Sequence, residues 1–368
     1  MKINFKNHLL AAFVLFSAFL ASCSKDKPVT PEEQIDPISG VYVLNEGNFN
    51  ANNASISYID FLTNKVSLDI YGTANSSDPT KPLALGALGS DMDIYGSLLY
   101  VVVNESNKVE ILNASNAKIV KTITIEQPRY IAFHSGRAFI TSYTNKVFVL
   151  DTLSKTITAQ IPVGKTPEQI VASGNRLYVA NAGWADGQTG GQYDNTVSVI
   201  DPVALKEESK ITVADNIDRI FADGKGKVYV NSSDIYDSSW SSIEKPSRLY
   251  RIDTKTNKVD KEYEFGAFLM VSNDKDKAYL VSTNYKAGET TFLEMGLGTE
   301  TLKESSIFNG LELNNVYGFA IDSENGDLWL SDTDYSNPGR VYHYNNKLNK
   351  VDQTYTVGAL PSAFAFKR

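Results

Sequence analysis

Seven times the chain repeats one short phrase: a turn glycine or polar pair, an alternating apolar-aromatic run, then a polar loop leading to a second run. The runs are GVYVLN (Gly40–Asn45), GSLLYVVVN (Gly96–Asn104), GRAFITS (Gly136–Ser142), GNRLYVAN (Gly174–Asn181), GKVYVNS (Gly226–Ser232), DKAYLVS (Asp276–Ser282) and GDLWLSD (Gly326–Asp332). Their central aromatics, Tyr42, Tyr100, Phe139, Tyr178, Tyr229, Tyr279 and Trp329, stand 58, 39, 39, 51, 50 and 50 residues apart. Short alternating strands at such a period cannot bury their apolar faces alone. They must stack on copies of themselves, as the blades of a β-propeller do.

The fourth repeat gives the unit most clearly. A first strand, Pro167–Ser173, turns at Gly174-Asn175 into Arg176–Asn181, and a loop leads to a third strand, Thr196–Asp201. Glu207–Ala214 is the outer strand. The same four parts recur over Leu88–Glu126, Gln127–Gly164, Lys165–Asp215, Asn216–Gly266, Ala267–Gly310 and Leu311–Gly358. Third strands end alike, in Asp60, Asn113, Asp151, Asp201 and Asp253, residues suited to accept N–H bonds from the following turn. The sixth and seventh repeats, at Met295 and Asn345, are expected to depart from this pattern. No amphipathic helix is expected after the N-terminal segment.

The first repeat begins at its second strand, and the chain ends in Pro361–Phe366, which matches the innermost strands Pro128–Phe133 and Pro167–Ser173. The C-terminus therefore supplies the strand missing before Gly40 and removes the open edge between first and last blades. The fold class is all-β: a seven-bladed propeller of four-stranded antiparallel blades over residues 40–368.

The N-terminus reads as an address. Lys2 and Lys6 precede an apolar run, Leu9–Leu20, that is too short for a bilayer span of about 20 residues. Leu20-Ala21-Ser22-Cys23 resembles a bacterial lipobox, in which the cysteine becomes the lipidated N-terminus. Cys23 is the only cysteine, so it cannot form an internal disulfide. The expected division is a signal peptide over 1–22, a lipid-bearing Cys23 with a proline-rich tether over 23–39, and the propeller. The charged Ser24–Lys27 resembles signals that direct Bacteroides-group lipoproteins to the outer membrane surface. A periplasmic position stays open. A formal net charge of −8 argues against nucleic acid as a partner.

Loops between second and third strands, and connections from outer to next innermost strands, gather on one propeller face. Several are long and aromatic: Glu46–Asn53 with Phe49, Ala182–Asn195 with Trp184 and Tyr193, and Ser233–Pro246 with Tyr236 and Trp240. Asn284–Glu289 carries Tyr285, Thr333–Gly339 carries Tyr335, and Tyr143 follows the second strand of blade 3. The first residues of the innermost strands point to the same mouth: Arg129-Tyr130, Glu168-Gln169, Asp218-Arg219 and Val316-Tyr317, with Asp91 and Asp93 in comparable places. Aromatic area with directional hydrogen-bonding groups suits a flat, polar-edged ligand or a sugar chain. The candidate ligand-binding set is Phe49, Arg129, Tyr130, Tyr143, Trp184, Tyr193, Arg219, Tyr236, Trp240, Tyr285, Tyr317 and Tyr335.

His134 and His343, the only histidines after the N-terminal segment, form no catalytic or metal-ligating pattern in sequence. His134 belongs to a turn on the opposite face, and His343 to the surface of the last blade. Asp91, Glu168 and Asp218 could converge on a cation as in lactonase-type propellers, but they form no liganding motif. The expectation is a binding protein without catalytic residues, metal or cofactor.

Gly174–Asn181 with Thr196–Val203 (GNRLYVAN…TVSVIDPV) resembles the YVTN-type, or YncE-like, propeller family. Taken with the lipobox and the aromatic loop face, the chain resembles the BtuG-type surface lipoproteins of the Bacteroides group. That resemblance implies capture of cobalamin (vitamin B12) as a transported ligand and its hand-over to an outer-membrane TonB-dependent transporter. A surface glycan- or protein-binding propeller is the alternative, and a lactonase-like hydrolase a further one.

Overall fold

The innermost strand of each blade runs antiparallel to a second strand whose central aromatic is sealed in the interior. In the computed structural model, Tyr42, Tyr100, Phe139, Tyr178, Tyr229, Tyr279 and Trp329 are all at most 5% exposed. Burying a side chain of this size contributes roughly 1.5–3 kcal/mol, so the seven aromatics anchor the stacking of the blades. The structure describes residues 38–368 except 79, 184–191, 274–275 and 285–288. The expectations for residues 1–22, Cys23, most of the tether, Trp184 and Tyr285 lie outside the described residues.

Seven four-stranded antiparallel sheets follow one another around a ring. Blade 1 takes its innermost strand from the C-terminus: Pro361–Lys367 pairs with Gly40–Asn45, with Gly40 opposite Lys367 and Tyr42 opposite Ala365. The ring is closed as the sequence indicates. The turn residues act as expected, with Asp60, Asn113, Asp151, Asp201 and Asp253 each accepting a main-chain N–H two or three residues ahead.

Four local expectations are corrected. Asn345 does not depart from the turn pattern, because its Oδ1 accepts the Leu348 N–H at 3.0 Å. The connection after blade 1 contains a short helix, Ile70–Asn75, whose Asp69 cap accepts from Gly72 N–H at 2.8 Å and whose Tyr71 is buried. Six residues are too few to display a helical period in sequence. The third strand of blade 4 begins at Tyr193, which pairs with Gly183 and so belongs to the sheet. Finally, the Ser233–Pro246 segment folds into a small hairpin, Ile235–Tyr236 against Ile243–Lys245.

One irregularity recurs at the same height. The innermost strands of blades 1 to 5 and 7 all shift register near their first residues, for example between Pro128 and Ile131 and between Ile217 and Arg219. In five of them the preceding residue is left-handed: Leu88, Gln127, Thr166, Asn216 and Leu360, with φ between 44° and 60°. The carbonyls of these five accept the N–H of Asn104, Tyr143, Ala182, Ser233 and Glu46 respectively. The bulge adds one residue against the neighbouring strand and re-aims the side chains beside it. Those side chains line the mouth of the central channel.

Candidate functional site: the channel mouth

The mouth holds a cavity of about 430 Å³. Its walls are the ends of the innermost strands, with Phe268 just before the blade 6 strand and the loop residues Glu46 and Tyr335. The two halves differ in chemistry. Blades 2 to 5 present Ser90-Asp91, Arg129-Tyr130, Gln169 and Arg219. Blades 6 and 7 and the closing strand present Phe268, Leu269, Met270, Phe319 and Phe364. The first arc is mainly polar; the second is mainly apolar but also holds Glu46, Tyr317, Tyr335 and Ser362.

Buried charges in the polar arc are paired with care. Arg129 donates from Nε and Nη2 to Glu168 Oε2 at 3.1 and 3.0 Å, and from Nη1 to Ser90 Oγ at 3.3 Å. The Tyr143 hydroxyl donates to the other Glu168 oxygen, and the Arg129 guanidinium lies 4.9 Å from the Tyr143 ring centre. Arg129 and Arg219 both sit against Tyr130, at 5.4 and 5.6 Å from its ring centre, and Arg219 Nη1 donates to the Tyr130 hydroxyl oxygen. Cation–aromatic contacts and the hydrogen bonds together hold the two guanidinium groups in place.

The mouth carboxyls are pushed toward the neutral form. Burial raises Asp91 to about 7, although the Ile131 and Met92 N–H groups both donate to it at 2.9 Å. Burial raises Glu46 as well, opposed by the Tyr317 hydroxyl that donates to it. Asp218 is raised by burial against the nearby Arg219 charge, and accepts from Asn231 and Ser233 at 3.3 and 3.1 Å. Desolvation outweighs hydrogen bonding at all three.

One level below, the sheet register defines a ring of equivalent positions opposite the seven buried aromatics: Asp93, Ala132, Val171, Phe221, Val271, Ala320 and Ala365. Asp93 is its single charged member. It opens on the channel yet is walled by protein, and burial raises it to about 6.

Of the candidate residues, Arg129, Tyr130, Arg219, Tyr317 and Tyr335 line the mouth together, and Tyr143 joins them through Glu168. Tyr317 and Tyr335 meet edge to face at 6.0 Å. Tyr236 lines a neighbouring cavity of about 270 Å³ between blades 5 and 6, which also holds Asp218 and Arg219. Trp240 stacks on Tyr236 at 5.6 Å and is 77% exposed, outside the cavity wall. Phe49 is exposed at a loop tip, and Tyr193 starts an outer-lying strand. Neither lines the mouth cavity.

The sequence reading missed Glu46, Phe268 and Met270. Glu46 occupies the same rung as Tyr143, since both N–H groups are held by the residue before an innermost strand. Superposing the repeats would have found it. Among the described residues, no three His, Cys, Asp or Glu side chains are grouped to hold a metal ion. Asp91, Glu168 and Asp218 are each engaged by separate protein donors.

A family model described as a domain of unknown function, DUF5074, matches residues 39–262. The chain belongs to the DUF5074 family. The DUF5074 match runs from blade 1 into the outer strand of blade 5, Lys258–Tyr263. The whole polar arc therefore lies inside it, while Phe268, Met270 and Phe319 come after it. No curated protein matches the chain. Among solved structures, hydrazine synthase of Kuenenia stuttgartiensis is similar with a TM-score of 0.61 at 14% identity, covering 75% of this chain and 88% of that one. The structure titled U3-55K is similar with a TM-score of 0.56 at 14% identity, covering 80% and 85%. These likenesses concern the propeller fold alone.

Proposed function

We propose that this DUF5074 protein is a lipid-anchored binding protein of the cell surface that captures cobalamin and passes it to an outer-membrane TonB-dependent transporter. The observation that carries the reading is the two-sided mouth, with Tyr317 and Tyr335 in its wall and the Tyr236–Trp240 pair beside a neighbouring cavity. A flat macrocycle would cap such an opening. Its apolar face would lie over the aromatic rim and its polar side groups would reach the donors and acceptors of blades 2 to 5. The resemblance to BtuG-type lipoproteins supports the ligand, and the Cys23 lipobox supports the anchor. Protein lacking residues 1–22 is expected to release heat and shift the visible spectrum on titration with cyanocobalamin. Neither signal at micromolar protein would overturn the cobalamin reading.

A second reading is favoured by one feature, the exposed Trp240 stacked on Tyr236 at a hairpin tip. Paired aromatics presented to solvent suit the face of a sugar ring, so a surface glycan is the alternative ligand. Selective signals on a glycan array, abolished by Trp240→Ala, would support it over cobalamin.

A further inference from the structure

The charged groups described around the mouth have partners within the protein, with one exception. Arg129 is matched by Glu168 and Ser90, Glu46 by Tyr317, Asp218 by Asn231 and Ser233, and Asp91 by two main-chain N–H groups. Arg219 has no carboxylate within salt-bridge distance among the described residues. Its Nη1 donates to a neutral phenol, and its Nε is sealed from solvent and donates to nothing. A buried guanidinium with an idle donor is costly to keep, and beside a cavity a bound group is one way to complete it.

The surroundings fix what kind of group that is. Tyr130, Asp91, Glu46, Asp218, Glu168 and Arg129 face Arg219 from the neighbouring elements. Arg129 and Glu168 cancel. Burial drives Asp91, Glu46 and Asp218 toward their neutral acids, which weakens their claim on the Arg219 charge. An incoming oxyanion therefore meets a guanidinium held in place by Tyr130 with a donor still unused. Apolar surface lies beside it: Phe268 and Met270 face the cavity from the adjoining blade 6 and Phe364 from the closing strand, alongside Glu46, Tyr317 and Ser362. Guanidinium groups bind carboxylate and phosphate oxygens with fixed geometry, and a low-dielectric wall strengthens that bond.

We propose that Arg219 is the anion-receiving group of the mouth, taking a carboxylate or phosphate oxygen from the edge of an otherwise apolar molecule whose body rests on Phe268, Met270 and Phe364. The inference rests on the reading of the mouth as a ligand site, and not on which ligand fills it.

The test uses ¹⁵N-labelled protein lacking residues 1–22, which contains every strand of the closed ring. The Arg219 Nε–H resonance is assigned by its loss in Arg219→Lys, then followed during titration with benzoate, phenyl phosphate, benzamide and benzylamine. These four probes share one ring and differ in head group. Benzoate, phenyl phosphate or both are expected to move the Arg219 signal saturably, and the responding arm names the source of the oxyanion. Benzylamine is expected to leave it in place. Arg219→Gln, with unchanged circular dichroism and thermal midpoint, is expected to weaken the responding probe by on the order of tenfold or more. Met270→Gln is expected to weaken benzoate but not acetate. Benzamide moving the signal as far as benzoate, or neither acid moving it, overturns the proposal. If cyanocobalamin binds while the Arg219 signal stays still, the mouth remains a ligand site and the anion assignment falls alone.

Discussion

Asp91 in blade 2 ties down Ile131 in blade 3: its Oδ2 accepts the Ile131 N–H at 2.9 Å, across the blade boundary. Gln169 repeats the device one pair of blades further on, accepting the Ile220 N–H at 2.9 Å. Both side chains sit beside the innermost-strand bulge, so the irregularity that opens the mouth also fastens neighbouring blades together.

The two ties differ in charge, and pH separates them. Burial raises Asp91 from the ordinary 3.8 to about 7, and Asp93 below it to about 6. A carboxyl with a raised folded-state value favours the folded protein while protonated, so stability falls as pH rises between about 4 and 7. Asp91→Asn keeps an acceptor for Ile131 without the charge. It is expected to flatten that slope and to add on the order of 1 kcal/mol at pH 8, allowing for water in the channel. Urea unfolding of both proteins at pH 5 and pH 8 checks this. A variant less stable than the parent at pH 8 would contradict it.

The Arg129–Glu168 pair should behave as a unit. Removing one buried partner strands the other charge, at a cost of about 3–5 kcal/mol. Arg129→Met or Glu168→Gln alone is therefore expected to lower stability strongly. The double variant is expected to recover most of the loss. A double-mutant cycle by chemical denaturation measures the coupling, and additive losses would show that Tyr143 and Ser90 carry the site instead.

His343 gives the opposite pH signature. Burial alone would lower it, but Asp327 and Asp352 hold it above its ordinary value, with Nδ1 2.7 Å from Asp352 and Nε2 3.1 Å from Asp327. Its ring also lies 4.4 Å from the ring centre of buried Trp329. A raised histidine stabilises fully below about pH 6.5 and loses that contribution as pH rises through its folded-state value. His343→Gln is expected to cost about 1 kcal/mol or more at pH 6 and measurably less at pH 9. Equal losses at both pH values would mean that packing on Trp329 dominates.

The ring of seven and its closure were legible because they rest on local pattern. Tyr42 to Trp329 mark one buried rung, and Pro361–Phe366 spells an innermost strand with no partner nearby in sequence. Arg129-Tyr130 and Asp218-Arg219 were legible for the same reason, since they occupy matching places in the repeat. The division of the mouth was not. Phe268 and Met270 read in sequence as ordinary strand residues, and only the packing of blade 6 on blade 5 brings them into one cavity with Arg219. The pairing of Arg129 with Glu168 and of Glu46 with Tyr317 likewise depends on bulges that alternation does not reveal. The helix Ile70–Asn75 was too short to show a period.

Trp240 offers the sharpest separation of recognition from stability. It stands in the left-handed region at φ 56°, a conformation that costs an L-residue roughly 1 kcal/mol. Asp237 imposes it: its carboxylate accepts the N–H groups of Ser239 and Ser241 and three serine hydroxyls, and its carbonyl accepts the Trp240 N–H at 2.9 Å. These bonds hold Asp237 well below the usual carboxylate range. Tyr335 is likewise exposed and left-handed, at φ 66°, beside an Asp334 that accepts from Ser336 and Asn337. Two loops thus hold strained aromatics out to solvent. Trp240→Gly removes the strain but also the stack on Tyr236, worth about 0.5–1.5 kcal/mol. The two effects oppose each other, so stability is expected to change by no more than about 1 kcal/mol. Affinity for a glycan bound at this hairpin tip is expected to fall by roughly tenfold or more, as for an aromatic anchor. Thermal unfolding and calorimetry on the same preparation read both quantities. Lost stability with unchanged affinity would make Trp240 a structural residue.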